Sequence, residues 1–385
     1  MIKVPEGPDN LFFRSNVMTI FHVITKTKIR DINSIKQQIL RNTQGLPEMR
    51  SKLIKVFNNF YYKKLSDEEF EKHLDRAISQ IPHDFKNEQE LIDYIAANQI
   101  KDLPRESIQY RIMVKLDFNS EQSAVVLVYS HGMSDGVGTM NMFCALQDEF
   151  DPSNLPYVRQ RSLQESIKRY AACIIGIYFH LKNYPQKYRD SELSQRVEKQ
   201  KTQITISKDM KIDELKQKIC RRFGCSINDL LIAASILSMR DYCLANNIKD
   251  YKIFEGFMAV NQRSQVVKKS DFRLFNRTFA HQIRINIESI FSFKVTNLCL
   301  EQQFKETLRV FTDQIQCIKT NDLGLSEFTA MRNIAYLLPD IVIEKRMDKF
   351  VTCQFQENLV QSQWFSQTID YWRGFYRQDD VFILW

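Results

Sequence analysis

The sequence predicts a two-lobed α/β protein, an α+β sandwich, and three observations carry the prediction. Strand-like and helix-like periodicities alternate through both halves of the chain, so sheet and helix share each core. The length, 385 residues, suffices for two core-forming units. Between those units, residues 182–202 turn polar and charged around a single proline, the composition of a linker. The expected boundaries are an N-terminal lobe at 1–181, a linker at 182–202 and a C-terminal lobe at 203–385.

In the first lobe, Leu11 to Ile24 alternates loosely between apolar and polar and reads as a strand. Asp31 to Arg41 reads as a helix, with Asp31 at its start and Ile32, Ile35 and Leu40 inward. A turn at Asn42–Pro47 leads to a strand at Met49–Val56, then to a segment holding Tyr61, Tyr62 and His73. Glu88 to Asn98 is a helix, and Lys101 to Glu106 is a loop around Pro104. Ser107 to Asp117 alternates cleanly, which predicts a strand with one wet face. The polar turn Phe118–Ser123 pairs it with the next strand. That strand, Ala124 to Tyr129, is a continuous apolar run rich in valine, suited to burial on both faces.

The run breaks at Ser130-His131-Gly132-Met133-Ser134-Asp135-Gly136-Val137-Gly138, and helical spacing resumes with Met140, Phe143 and Cys144. A strand that ends on a histidine and turns into a helix holds the imidazole at the rim of a core. Gly132 and Gly136 supply any positive φ the turn requires. An unperturbed imidazole titrates near 6.5, so His131 can take and give a proton near neutral pH. A solvated surface histidine with a capping aspartate would leave the same bare pattern.

Leu163 to Leu181 is again helical, and Tyr170–Leu181 is uncharged and flanked by Lys168, Arg169, Lys182 and Lys187. It is too short to span a bilayer and is either a buried helix or an interfacial anchor. In the second lobe Ile212 to Phe223 is an amphipathic helix. Ser226-Ile227-Asn228-Asp229 matches a capping box opening an apolar helix through Met239. Lys252–Val260 and Phe279–Ile287 read as strands, Glu301–Lys319 and Ser326–Leu338 as helices, Met347–Phe355 and Val381–Leu384 as strands.

Composition narrows the function classes. The net charge of +8 comes without long basic blocks. It suits contact with phosphates or an anionic membrane surface, and equally an ordinary soluble protein. No zinc-finger, basic-helix or RNA-recognition pattern is present, so nucleic acid is not an expected partner. The eight cysteines lack Cys-x-x-Cys spacing, and Cys220/Cys225 has no nearby histidine, so no metal site is expected and free thiols are. The N-terminus lacks the apolar core of a signal peptide, and no run reaches the roughly 20 apolar residues of a membrane span. The expected location is cytoplasmic or peripheral on a membrane.

His131-Gly132-Met133-Ser134-Asp135-Gly136 resembles the His-x-x-x-Asp-Gly motif of the CoA-dependent acyltransferase superfamily. That superfamily includes chloramphenicol acetyltransferase and peptide-synthetase condensation domains. The surroundings look most like the wax ester synthase/diacylglycerol acyltransferase family. Asp9-Asn10-Leu11-Phe12 resembles its opening motif, and the loop from Pro104 its Pro-Arg loop. Ser226–Asp229 resembles its Ser/Thr-x-Asn-Asp segment, and Arg263 and Asn276-Arg277 fall where the family carries an arginine and an asparagine. Three features depart from the pattern. Ser130 replaces the first of two usual histidines, Thr352–Asn358 lacks the Asn-x-Pro-Gly-Pro-like sequence, and the chain stops inside the apolar run Val381–Trp385.

The resemblance implies a chloramphenicol acetyltransferase-like fold of two similar lobes with the active-site channel between them. It implies transfer of a long-chain acyl group from acyl-CoA to diacylglycerol or a fatty alcohol. No cofactor is needed and CoA enters as part of the substrate. His131 is the implied general base. Asp135 is structural and pairs with an arginine across the channel, for which Arg263 is the candidate. Asn228 and Asp229 either line the channel or simply cap their helix, and Asn276 is a candidate oxyanion donor or an ordinary loop amide. Contact with the endoplasmic reticulum or a lipid-droplet surface is implied by such acceptors. Two other readings stand beside this one: a relative with a different acceptor, and an inactive homologue that binds lipid or membrane.

Overall fold

The structure is a computed structural model. It describes residues 1–5, 8–15, 17–57, 59–98, 103–148, 150–152, 155, 162–168, 171, 212–248, 253–261, 263–291, 298–320 and 382–383. The linker at 182–202, the segments Ser326–Leu338, Met347–Phe355 and Thr352–Asn358, and all of Tyr170–Leu181 except Ala171 lie outside the described residues.

The apolar run forms β7 (Ala124–Ser130) at the heart of a five-stranded sheet. It pairs antiparallel with β2 (Met18–Ile24) on one side and with β6 (Tyr110–Lys115) on the other. β5 (Ile78–Gln80) runs parallel beside β6, and the short β10 (Phe382–Ile383) pairs antiparallel with β2. Both faces of β7 are covered, as a continuous apolar strand requires. On one face Leu127 and Tyr129 pack with Ile39 of α2 (Ile32–Asn42), Phe70 and Leu74 of α3 (Asp67–Ala77), and Met142 of α5 (Gly136–Leu146). On the other, Val126 and Val128 pack with Leu91, Ile92 and Ile95 of α4 (Glu88–Asn98). A smaller sheet joins β1 (Ile2–Lys3), β4 (Asn59–Lys64) and β3 (Ser51–Val56).

Two local expectations are corrected. Leu11 to Ile24 is not one strand: Pro8–Ser15 forms helix α1, and only Met18–Ile24 is extended. Proline at the first helical position and Asp9 in the first turn favour that helix start. Nor does β6 keep a wet face. Val114 and Ile112 point to the first cluster, Met113 to the second, and Lys115 is buried with its Nζ 2.6 Å from Asp84 Oδ1.

A second core gathers around α7 (Ile227–Ala245), whose Leu230, Ala233 and Leu237 pack with Phe304, Leu308 and Phe311 of α8 (Leu300–Thr320). Phe254 of β8 (Ile253–Asn261) and Ile285 of β9 (Thr278–Asn286) complete it, and the two strands pair antiparallel. α6 precedes α7 and runs through Ile212–Glu214, a π-wound Leu215–Cys220 and Arg221–Phe223, ending on Gly224 at φ +64. The connection from β8 to β9 leaves this core: its Phe272 and Leu274 are buried in the first cluster, with Phe272 edge-on to Phe150. That crossing carries Arg263 and Asn276 to the end of β7.

Candidate active site

β7 ends at Ser130, and the chain turns at once. The His131 N–H donates to Val17 O at 2.7 Å, and the Met133 N–H closes back on Ser130 O at 2.9 Å. Gly132 does not supply a positive φ here, nor does Gly136; among the described glycines only Gly224 has one. Gly132 is required by closeness instead, because a Cβ there would enter the Phe13 ring. Gly136 is simply the first residue of α5.

The imidazole of His131 lies against Phe12 of α1, with ring centroids 4.0 Å apart and planes tilted by 30°. Its Nδ1 is buried without a hydrogen-bond partner. Burial lowers its pKa below the ordinary 6.5, against the opposing pull of its own carbonyl, the Asp135 charge and the Asn276 side chain. The ring is therefore neutral at pH 7, the form that can accept a proton.

Asp135 caps α5, accepting the Gly138 N–H on Oδ1 at 2.8 Å. The same oxygen accepts Arg263 Nη2 at 2.8 Å, while Oδ2 accepts the Arg277 and Thr278 N–H groups at 2.7 and 2.8 Å. Burial would push this carboxyl up, but the Arg263 guanidinium and the surrounding N–H donors outweigh it and hold it below the usual range. Arg263 also donates to Phe275 O and lies over the Phe275 ring, 5.3 Å from its centroid. Gly138 belongs to this knot: a Cβ there would collide with Ser134 Oγ and the Arg263 guanidinium.

Asn276, the candidate oxyanion donor, spends its amide hydrogens on neighbouring groups of the protein. Both hydrogens of its Nδ2 are committed, one to Asp9 Oδ1 at 3.1 Å and one to His131 O at 2.8 Å. Its backbone N–H also donates to Asp9 Oδ1, at 2.8 Å. Sequence reasoning assigned no role to Asp9 or Phe12. The available signal was the resemblance of Asp9-Asn10-Leu11-Phe12 to the family's opening motif, which carries no role for either residue. A cavity of about 560 Å³ lies near this cluster, lined by Tyr62, Glu48, Arg273 and Phe275 among others, but His131 does not line it.

No family model matches the chain, and no curated protein matches it. Among solved structures it is similar to the first condensation domain of the calcium-dependent antibiotic synthetase (TM-score 0.57, 9% identity, 84% of this chain and 76% of that one). It is similar to TRI3 trichothecene 15-O-acetyltransferase from Fusarium sporotrichioides (TM-score 0.54, 12% identity, 87% and 77%). A wax ester synthase/diacylglycerol acyltransferase from Marinobacter aquaeolei VT8 also matches (TM-score 0.49, 14% identity, 85% and 77%). The chain has the two-lobed acyltransferase fold.

Within this acyltransferase fold, Asp229 is occupied as a helix cap. Its Oδ2 accepts the Ser226 N–H at 2.9 Å, and its own N–H donates to Ser226 Oγ at 3.2 Å. Asn228 is exposed in the first turn of α7. The geometry thus realises the capping explanation for Asp229. The other histidines serve elsewhere in two visible cases: His22 is buried 2.7 Å from Glu88 Oε1, and His83 stacks with Tyr94. Among the described residues no group of three or more His, Cys, Asp or Glu could hold a metal ion. Among them, too, no helix is long and apolar enough to cross a membrane.

Proposed function

We propose that the protein is a CoA-dependent O-acyltransferase that moves a long-chain acyl group from acyl-CoA to diacylglycerol or a fatty alcohol. One observation carries the reading: a neutral imidazole at a strand end, with Nδ1 shut away, beside a carboxylate fully engaged by other partners. Such a base can only work through Nε2. A hydroxyl is a poor nucleophile until its proton leaves as the new bond forms, so a positioned neutral base is what ester formation needs. His131 takes the alcohol proton as the oxygen attacks the thioester carbonyl. The C–O bond forms, the C–S bond breaks, and the imidazolium returns the proton to the departing CoA sulfur. Asp135 takes no proton in this scheme, since Arg263 and three N–H groups occupy it.

The lipid substrates rest on the sequence resemblance, with Asp9–Phe12, His131–Gly136, Ser226–Asp229 and Asn276-Arg277 in the family's order. The acetyltransferase among the structural neighbours is, by its name, an enzyme acting on an oxygen acceptor. The test is labelled palmitoyl-CoA offered with diacylglycerol and with hexadecanol separately, using His131→Ala as control. Ester formation that falls about 10²- to 10⁴-fold in the variant supports the reading. Equal rates for parent and variant, or no ester from either alcohol, reject it. Acceptors of this size partition into bilayers, so the protein would meet them at a membrane surface. Replacing Lys168, Arg169 and Lys182 with Gln should then weaken flotation with anionic liposomes, most strongly at low salt.

A further inference from the structure

We infer that Asp9 is a positioning residue for His131, acting through the Asn276 amide in concert with Phe12 on the same helix; only the kinetic arm of the test rests on the proposed acyl transfer. Asp9 is 2% exposed. Its Oδ1 accepts both N–H groups that Asn276 can offer it, and the same Asn276 Nδ2 donates onward to His131 O. Three residues along, Phe12 covers the imidazole face, and Phe13 covers Gly132. One turn of α1 therefore fixes the carbonyl of His131, the plane of its ring and the glycine that follows. A catalytic base needs such placement, since a displacement of about 1 Å can cost on the order of 10²-fold in rate.

Asp135 at the start of α5 acts on Asp9 and Tyr62 from β4 feels its charge, while His131 after β7 lies across the Asn276 amide and Arg263 from the crossing segment pairs with Asp135. Burial pushes the Asp9 carboxyl up to about 8, with the Asn276 donors opposing and the Asp135 charge adding. At neutral pH Asp9 is thus protonated and Asp135 alone is negative. Ionising Asp9 tightens its own bonds to Asn276 but sets a second anion beside Asp135, and the two carboxylates then repel across the stretch they share, Asn276 to Thr278. The arrangement that holds His131 is then disturbed as pH rises.

The experiment compares the parent, Asp9→Ala and Asp9→Asn by acyl-transfer kinetics and by NMR titration of the His131 ring. Asp9→Ala should lower kcat by on the order of 10²-fold with KM little changed. Asp9→Asn keeps a neutral acceptor and should recover most of that loss at pH 7. The parent rate should fall above about pH 8, whereas that of Asp9→Asn should not. Independently of activity, the His131 ring signals of the parent should carry an inflection near pH 8 that Asp9→Asn lacks. A folded Asp9→Ala with parental kcat, or a parent without that inflection, overturns the inference. Should the parent transfer no acyl group to either alcohol, the functional reading fails and the NMR arm still decides the role of Asp9.

Discussion

At the scale of single residues, the site is built around one carboxylate whose hydrogen-bonding capacity is filled. Asp135 accepts four N–H groups, so removing either member of its pair with Arg263 strands the other. Asp135→Ala and Arg263→Ala should each cost about 3–5 kcal/mol in denaturant unfolding. The double variant should lose clearly less than their sum; additive losses would show that the contact is not energetically shared. Gly138→Ala should cost roughly 1–3 kcal/mol by overpacking against Ser134 and Arg263, measurable in the same assay. The lowered pKa of His131 sets the pH dependence of turnover. The acid limb of kcat/KM should lie below pH 6.5, the ordinary value for histidine; a limb at or above that pH would mean the ring is not held neutral. The His131 motif was legible because glycines and a histidine interrupt a run of valines. The pairing of Asp135 with Arg263 was legible only through the family resemblance, since 128 positions separate them. The resemblance marked Asp9 as part of a motif, but its role was not legible, because nothing in the local sequence says that a helix-start aspartate will be buried.

At the scale of elements, caps decided where sequence patterns succeeded. Asp31 accepts the Ser34 N–H and starts α2 where expected, and Ser226 with Asp229 starts α7. Ser66 and Glu69 form a second reciprocal cap ahead of α3, a signal present in the sequence but masked by the charged run that follows. Ser66→Ala should destabilise the protein by about 1 kcal/mol, read as a lower urea midpoint at unchanged slope. Element reading failed where the partner layer mattered. β6 alternates as a half-exposed strand does, yet α4 covers one face and α3 with α5 the other, and Asp84 satisfies the buried Lys115. Alternation records which residues differ along a strand, whereas coverage is fixed by helices far away in sequence.

For the molecule as a whole, the two cores are joined by the segment between β8 and β9, which takes Phe272 and Leu274 into the first core. Mixed α/β layers could be read from periodicity, but this crossing could not, because a loop has no period. Its burial has a pH signature. The folded state keeps a proton on Asp9 up to about pH 8, while the unfolded chain loses it near 3.8. Folding stability should therefore fall as pH rises between those values. His131 has the opposite sign, its contribution being lost as pH drops below 6.5. Between pH 6.5 and 8 the Asp9 slope should thus be visible, and Asp9→Asn should flatten it in urea titrations. The crossing also carries its own clock. Three successive amides, on Asn276, Arg277 and Thr278, are each held by a carboxyl oxygen from the first lobe. Their hydrogens can exchange with deuterated solvent only when those carboxyl groups withdraw. The three should lose protection together, at a rate that counts how often the lobes come apart.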